Sequence, residues 1–190
     1  MNAVKRFAAP QRVLHWGMAA CIIAMLFLGV GMISTITPKW LTLVQIHKTL
    51  GITVLVLAVL RLLLRLLYPT PPLPRDMPVM MRLAADSSQY VFYALMLGMP
   101  LIGWAMLSTA AHPVVLFGSV HLPAIMPVNA TWYPLLQRAH MLLGYAFFGL
   151  ILMHTAALMF HKLVRKDGVF EAMAPVVTDN QEEELNAKHV

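Results

Sequence analysis

Four histidines, His15, His47, His140 and His154, lie within or at the edge of long apolar segments. An ionisable side chain inside a bilayer costs a few kcal/mol or more unless it finds a partner, so each of the four reads as functional by default. Imidazole is an axial ligand of haem iron, and four imidazoles make two bis-histidine pairs. His140 and His154 are 14 residues apart. That is close to four helical turns, so both rings leave one helix face about 21 Å apart along the axis. His47 lies about seven residues into its segment, roughly 10 Å from the end, at a depth comparable with His140. His15 sits roughly 30 Å from the corresponding end of the first segment, at the depth of His154. The expectation is therefore His47 with His140 and His15 with His154, holding two b haems stacked across a membrane. His161 is the rival inner ligand, two turns past His154 on the same face. Its distance from His140, about 31 Å, equals the whole hydrocarbon core, and the depth match favours His154. His161 is expected at the interface near Lys162 and Arg165, binding a haem propionate or quinone or simply solvated. No carboxylate or thiol joins the histidines at either depth, which disfavours zinc.

The elements that must hold these rings are membrane helices. Hydrophobic residues make up 59% of the 190, charged residues 12%, and the mean hydropathy is +0.72, values outside the range of a water-soluble domain. Four apolar runs, near Val13–Thr35, Trp40–Leu64, Ser87–Ala110 and Trp132–His161, are each close to the ~20 residues needed to span a bilayer. The first is too long for the core of a signal peptide and has no small-residue cleavage site close behind it, so it reads as a retained span. The expected fold is all-α, an integral membrane four-helix bundle over residues 1–174, followed by a polar, disordered tail over 175–190. The single Cys21 excludes an intrachain disulfide, a Cys-ligated cluster and the attachment motif of c-type haem, and reads as packing. The fifteen methionines read as packing too.

Charge sets the orientation. With both termini in the cytoplasm, that side carries Lys5, Arg6, Arg12, Arg61, Arg65, Arg75, Arg82, Lys162, Arg165, Lys166 and Lys188, leaving Lys39, Lys48 and Arg138 outside. All eight acidic residues, Asp76, Asp86, Asp167, Glu171, Asp179, Glu182, Glu183 and Glu184, also fall inside. An outer surface of one sign favours encounter with an anion, and Lys39, Lys48 and Arg138 are the candidate groups. Tyr68–Pro74 cannot be helical, because its prolines remove donors and restrict the residues before them, so it reads as a stiff cytoplasmic loop. The connection from His112 to Pro134 reads as an outer loop, and His112 and His121 within it are not expected to be ligands. Asn129-Ala130-Thr131 matches a glycosylation sequon, a pattern too short to carry weight. Gly51 and Gly144 each follow a histidine by one turn, where a missing side chain lets a flat macrocycle approach. Arg12, Arg61 and Arg65 near the inner pair are candidate propionate partners, as are Lys48 and Arg138 near the outer one; membrane anchoring is an equal reading of Arg61 and Arg65.

The chain resembles the prokaryotic cytochrome b561 family, in particular its small four-helix superoxide oxidase-like members. The resemblance runs from about Gln11 to Ala174 and rests on Leu14-His-Trp16, Ile46-His-Lys-Thr-Leu-Gly51, Arg61-Leu-Leu-Leu-Arg65 with the prolines after it, His140-x3-Gly-Tyr145 and His154-x6-His161. It implies that His15 and His154 bind the cytoplasmic haem and His47 and His140 the periplasmic one. The sequence departs from the pattern at Gln89, where relatives often carry a histidine. The resemblance further implies a bacterial inner-membrane enzyme passing electrons from superoxide to ubiquinone. The alternative is a non-catalytic electron-transfer subunit between quinone and a respiratory partner such as a periplasmic dehydrogenase or hydrogenase; a haem sensor or scaffold is a weaker third reading. No nucleic-acid partner is expected.

Overall fold

The computed structural model describes residues 6–175, so Lys5, Lys188 and the acidic residues from Asp179 onward lie outside the described residues. Four helices are long and apolar enough to cross a membrane: α1 (Ala9–Ser34), α2 (Lys39–Leu67), α3 (Val79–Thr109) and α4 (Trp132–Phe160). Proline punctuates them. Pro10 occupies the first turn of α1, where its missing N–H costs nothing, and the Ala8 N–H there donates to Gln11 Oε1 at 3.1 Å. Pro38 and Pro78 immediately precede α2 and α3, and Pro69 follows the end of α2. The turn before α4 is held by Asn129, whose Oδ1 accepts from the N–H groups of Thr131 and Trp132.

Three boundaries differ from the sequence reading. α3 begins at Val79, eight residues before Ser87. The polar stretch from Arg82 to Gln89 reads as the end of a span, but Pro78 starts a helix and Met80, Met81, Ala84 and Ala85 sustain it. The connection between α3 and α4 is not wholly irregular. It carries a two-stranded antiparallel ribbon, β1 (Val115–Leu116) and β2 (Val120–His121), closed by Phe117 and Gly118 with φ of 50° and 77°. Two successive left-handed residues make a type I′ turn, which sequence patterning does not flag with Phe in first place. Finally, α4 runs on into a π-helical turn, His161–Arg165, which ends at left-handed Lys166 before a short α5 (Val169–Met173).

The helices pack as two antiparallel hairpins, α1 on α2 and α3 on α4, joined mainly by α2 against α3. The buried core is a layer of Met18, Ala58, Leu95, Met96 and Phe147, drawn from all four helices. Much of the remaining apolar surface faces outward, including Phe27, Val30, Leu66, Leu67 and Met153, as a lipid-embedded bundle requires. One end, the terminal end, gathers the start of α1, the Pro-rich loop and α5. Phe7 N–H donates to Ala172 O, Trp16 Nε1 to Met173 O, and Arg165 Nη2 pairs with Asp76. The opposite, loop end is covered by the 110–131 segment. Gln45 donates to Val115 O, Trp104 Nε1 to Pro123 O, and Thr109 O accepts from Asn129 N–H.

Candidate functional site

α4 carries two imidazoles four turns apart, and each meets a histidine from the other hairpin. Towards the loop end, His140 faces His47 of α2 with ring centroids 6.2 Å apart. Towards the terminal end, His154 faces His15 of α1 at 6.5 Å. Two imidazoles bound to opposite faces of one metal, with bonds of about 2.0 Å, have centroids roughly 6 Å apart. Both pairs therefore have the separation that one iron between them requires. Their planes are inclined by 70° and 65°, which rotation about such an axis permits. The donor set of each pair is two imidazoles, the ligand type of low-spin haem. Nδ1 of His47 and Nδ1 of His140 are buried without hydrogen-bond partners, so neither ring has been recruited into a protein hydrogen-bond network. Among the described residues, no group of three or more His, Cys, Asp or Glu is placed to hold a metal ion.

The terminal-end pair meets two further side chains. Arg61 Nη1 donates to His15 Nδ1 at 2.8 Å, a contact that a ring ligating iron through Nε2, with its proton on Nδ1, would give up. Phe92 of α3 sets its ring 5.1 Å from His154 and 6.0 Å from Phe147, so an aromatic layer separates the two histidine levels. Arg61 is thus engaged with a candidate ligand in addition to standing where a propionate partner was expected. Arg65 and Arg61 line a cavity of about 20 Å³ with Gln11, Gln89 and Tyr93. Arg12 Nη1 donates to Ala174 O at 3.3 Å, tying α1 to the end of the described chain.

The glycines divide. A Cβ at Gly51 would make ordinary contact with Met25 Cε at 3.6 Å, and one at Gly144 with Met99 Cε at 3.8 Å. The tightest approach is at Gly103 of α3, where a Cβ would lie 3.3 Å from His140 Cε1. Sequence reasoning missed this residue, since one more glycine in an apolar helix carries no signal.

His161 is neither solvated nor paired with another histidine. It is buried, and its Nδ1 lies 2.7 Å from Asp167 Oδ2. Arg165 Nε donates to the same oxygen at 2.8 Å and its Nη2 reaches Asp76 at 2.7 Å, while Lys162 pairs with Glu171. Burial pushes the Asp167 carboxyl up, but hydrogen bonds from Arg165 and His161, the charge of His161 and the Val169 N–H outweigh it and hold the carboxyl below its ordinary value. Asp167 was missed because left-handed Lys166 and Gly168 fold it back under the helix. At the loop end Lys39 and Arg138 are exposed, Lys48 is half-buried, and among the described residues none of the three forms an ion pair.

A family model described as prokaryotic cytochrome b561 matches residues 6–175, the whole of the described chain. The chain belongs to the prokaryotic cytochrome b561 family. It is a multi-pass membrane protein of a family of electron-transfer cytochromes that bind haem b. It is 33% identical over 132 residues, covering 69% of this chain and 74% of the relative, to a Yersinia pestis protein named probable superoxide oxidase CybB. It is 26% identical to cytochrome b561 homolog 2 of Escherichia coli K12, covering 90% of this chain and 93% of that one. Cytochrome b561 homolog 1 of the same organism is also 26% identical, with 90% and 98% covered.

Proposed function

We propose that this cytochrome binds two b haems, His15 with His154 at the inner site and His47 with His140 at the outer one, and transfers electrons from superoxide at the periplasmic face to ubiquinone. The observation that carries the reading is the pair of imidazole couples, 6.2 and 6.5 Å across, set at opposite depths on one helix. When bound, each haem supplies a one-electron iron couple, and two in series match a one-electron donor to a two-electron acceptor. With both imidazoles of a pair engaged, a bound haem would have no ligand position open to the donor, so superoxide would give up its electron without ligating metal and leave as dioxygen. Two superoxide anions and two protons then account for one quinol. Lys39, Lys48 and Arg138 give the loop end a single sign of charge, whereas the described acids, Asp76, Asp86, Asp167 and Glu171, all belong to the terminal end. The same asymmetry supports an orientation with the terminal end towards the cytoplasm of a bacterial inner membrane. The name of the Yersinia relative supports superoxide as donor.

Stopped-flow mixing of the purified, haem-loaded protein with superoxide, with and without ubiquinone, tests the proposal. The expected result is haem reduction by superoxide alone and sustained turnover when quinone is present. No reduction by superoxide, together with reduction by a periplasmic dehydrogenase or hydrogenase, would replace this reading with the partner-dependent electron-transfer subunit.

A further inference from the structure

α3 contributes no histidine, yet its backbone comes closer to a candidate ligand than any other glycine-lined surface of the bundle. A Cβ built at Gly103 falls 3.3 Å from His140 Cε1 and 3.6 Å from His140 Nδ1. Real Cβ contacts are seldom that short, so any side chain at this position must push the imidazole, the helix or both. The ring edge thus rests on the last residue of the α3 turn Met99–Gly103, and its buried Nδ1 has no hydrogen-bond partner. That turn contains Pro100, whose missing N–H frees the carbonyl four residues before it and allows a local change of helix direction. Trp104, next to Gly103, is anchored through Nε1 to Pro123 O at 3.0 Å, which pins this face of α3 to the loop-end segment. The opposite pair is built differently: His15 accepts from Arg61, and His154 packs against the ring of Phe92.

We infer that Gly103 is the positioning residue for the His140 imidazole. The outer hydrogen-bond partner and the orientation of an axial imidazole tune the metal it holds. Gly103 therefore sets the potential and the magnetic axes of the outer haem without touching the inner one. The inference rests on the proposed ligation by His140, and the two can fail separately.

The test is Gly103→Ala in the haem-loaded protein, read by low-temperature EPR of the low-spin signals and by redox titration. One of the two low-spin signals should move, and one of the two midpoint potentials should shift, while the other haem keeps both values. Gly98→Ala is the control on the same helix, because nothing lies within 4 Å of a Cβ there. It should leave both haems unchanged. Unchanged signals and potentials in Gly103→Ala, or equal shifts of both haems, would overturn the inference. Should Gly103→Ala fail to accumulate with haem, Pro100→Ala decides instead. It adds no bulk at Gly103 but restores a backbone N–H to the turn on which the ring rests, so a change confined to one haem supports the inference and no change refutes it. Two six-coordinate haems in His140→Ala would sink the ligand assignment itself; loss of one haem there, with unchanged spectra in Gly103→Ala, would sink only the positioning role.

Discussion

His154→Ala and His161→Ala should have opposite consequences, although both side chains project from the same face of the fourth membrane span. The two residues are seven apart, about 10 Å along the axis. His154 lies 6.5 Å from His15, the separation for a shared metal. A metal on His161 would need a partner about 10 Å closer to the terminal end than His15. On the antiparallel α1 that level falls near Ala8, just before the helix begins, where no imidazole is present. His154→Ala should therefore cut the haem content from about two per chain to about one, or leave a high-spin haem with one axial ligand. His161→Ala should leave two low-spin haems. Its effect falls on stability, because Asp167 keeps Arg165 at 2.8 Å but loses the donor at 2.7 Å. A hydrogen bond to a charged group contributes about 1.5–3 kcal/mol, and the surviving Arg165 contact places the expected loss near 2 kcal/mol. Pyridine haemochrome analysis gives the count, EPR the spin state, and loss of the Soret band on heating in detergent the stability ranking. Conversion of a haem by His161→Ala, with both haems intact in His154→Ala, would refute the depth argument.

Neutralising Lys39 and Arg138 together should slow haem reduction by superoxide most at about 0.01 M salt, where the screening length is about 30 Å, and least near 1 M, where it is about 3 Å; stopped-flow rates that ignore ionic strength would end the steering idea. Lys48 is the less clean probe because it adjoins His47, and its variant must first be shown to retain both haems. Asp167 has its pKa depressed below 3.8, so its contribution is fully present above that unfolded value and is lost as pH falls through the lower folded one. Acid titration of the parent should accordingly show a loss of thermal stability below about pH 4 that Asp167→Asn removes. Phe147→Ala opens the central core layer and should cost about 3–5 kcal/mol, read as a lower denaturation temperature with both haems still low-spin at the start.

The sequence carried the spans and the histidine levels because both depend on local periodicity. Apolar length defines a membrane helix, and a 3.6-residue turn converts residue number into depth, so the distances between histidine levels needed no tertiary information. Contacts made by chain reversal were different. His161 offered a ligand, a propionate partner or a solvated side chain; only the π-turn and the left-handed residues after it reveal Asp167 as its partner. The same holds for Gly103. Gly51 and Gly144 attracted attention because each follows a histidine on its own helix, whereas the glycine nearest a candidate ring comes from a helix without histidines. The start of α3 was placed late because polarity marks where a span leaves the membrane, not where the helix ends.

Haem bound at the proposed sites would have a structural role as well as a chemical one. Each proposed site draws one imidazole from the α1–α2 hairpin and one from α4, so an iron at either site links the two hairpins. Direct protein contact between them runs mainly through α2 and α3 around a five-residue buried core, which is small for four spans. Binding that occurs only in the assembled bundle adds stability in proportion to ligand occupancy, about 2.7 kcal/mol at a hundred times the dissociation constant. Chain produced under haem limitation should therefore be cut faster than loaded chain in the non-helical segment between Leu67 and Val79, which covalently joins the hairpins. Reloading with haem in detergent should restore resistance in step with the appearance of low-spin absorbance. Equal cleavage rates for depleted and loaded protein would mean that the α2–α3 contact alone holds the hairpins together.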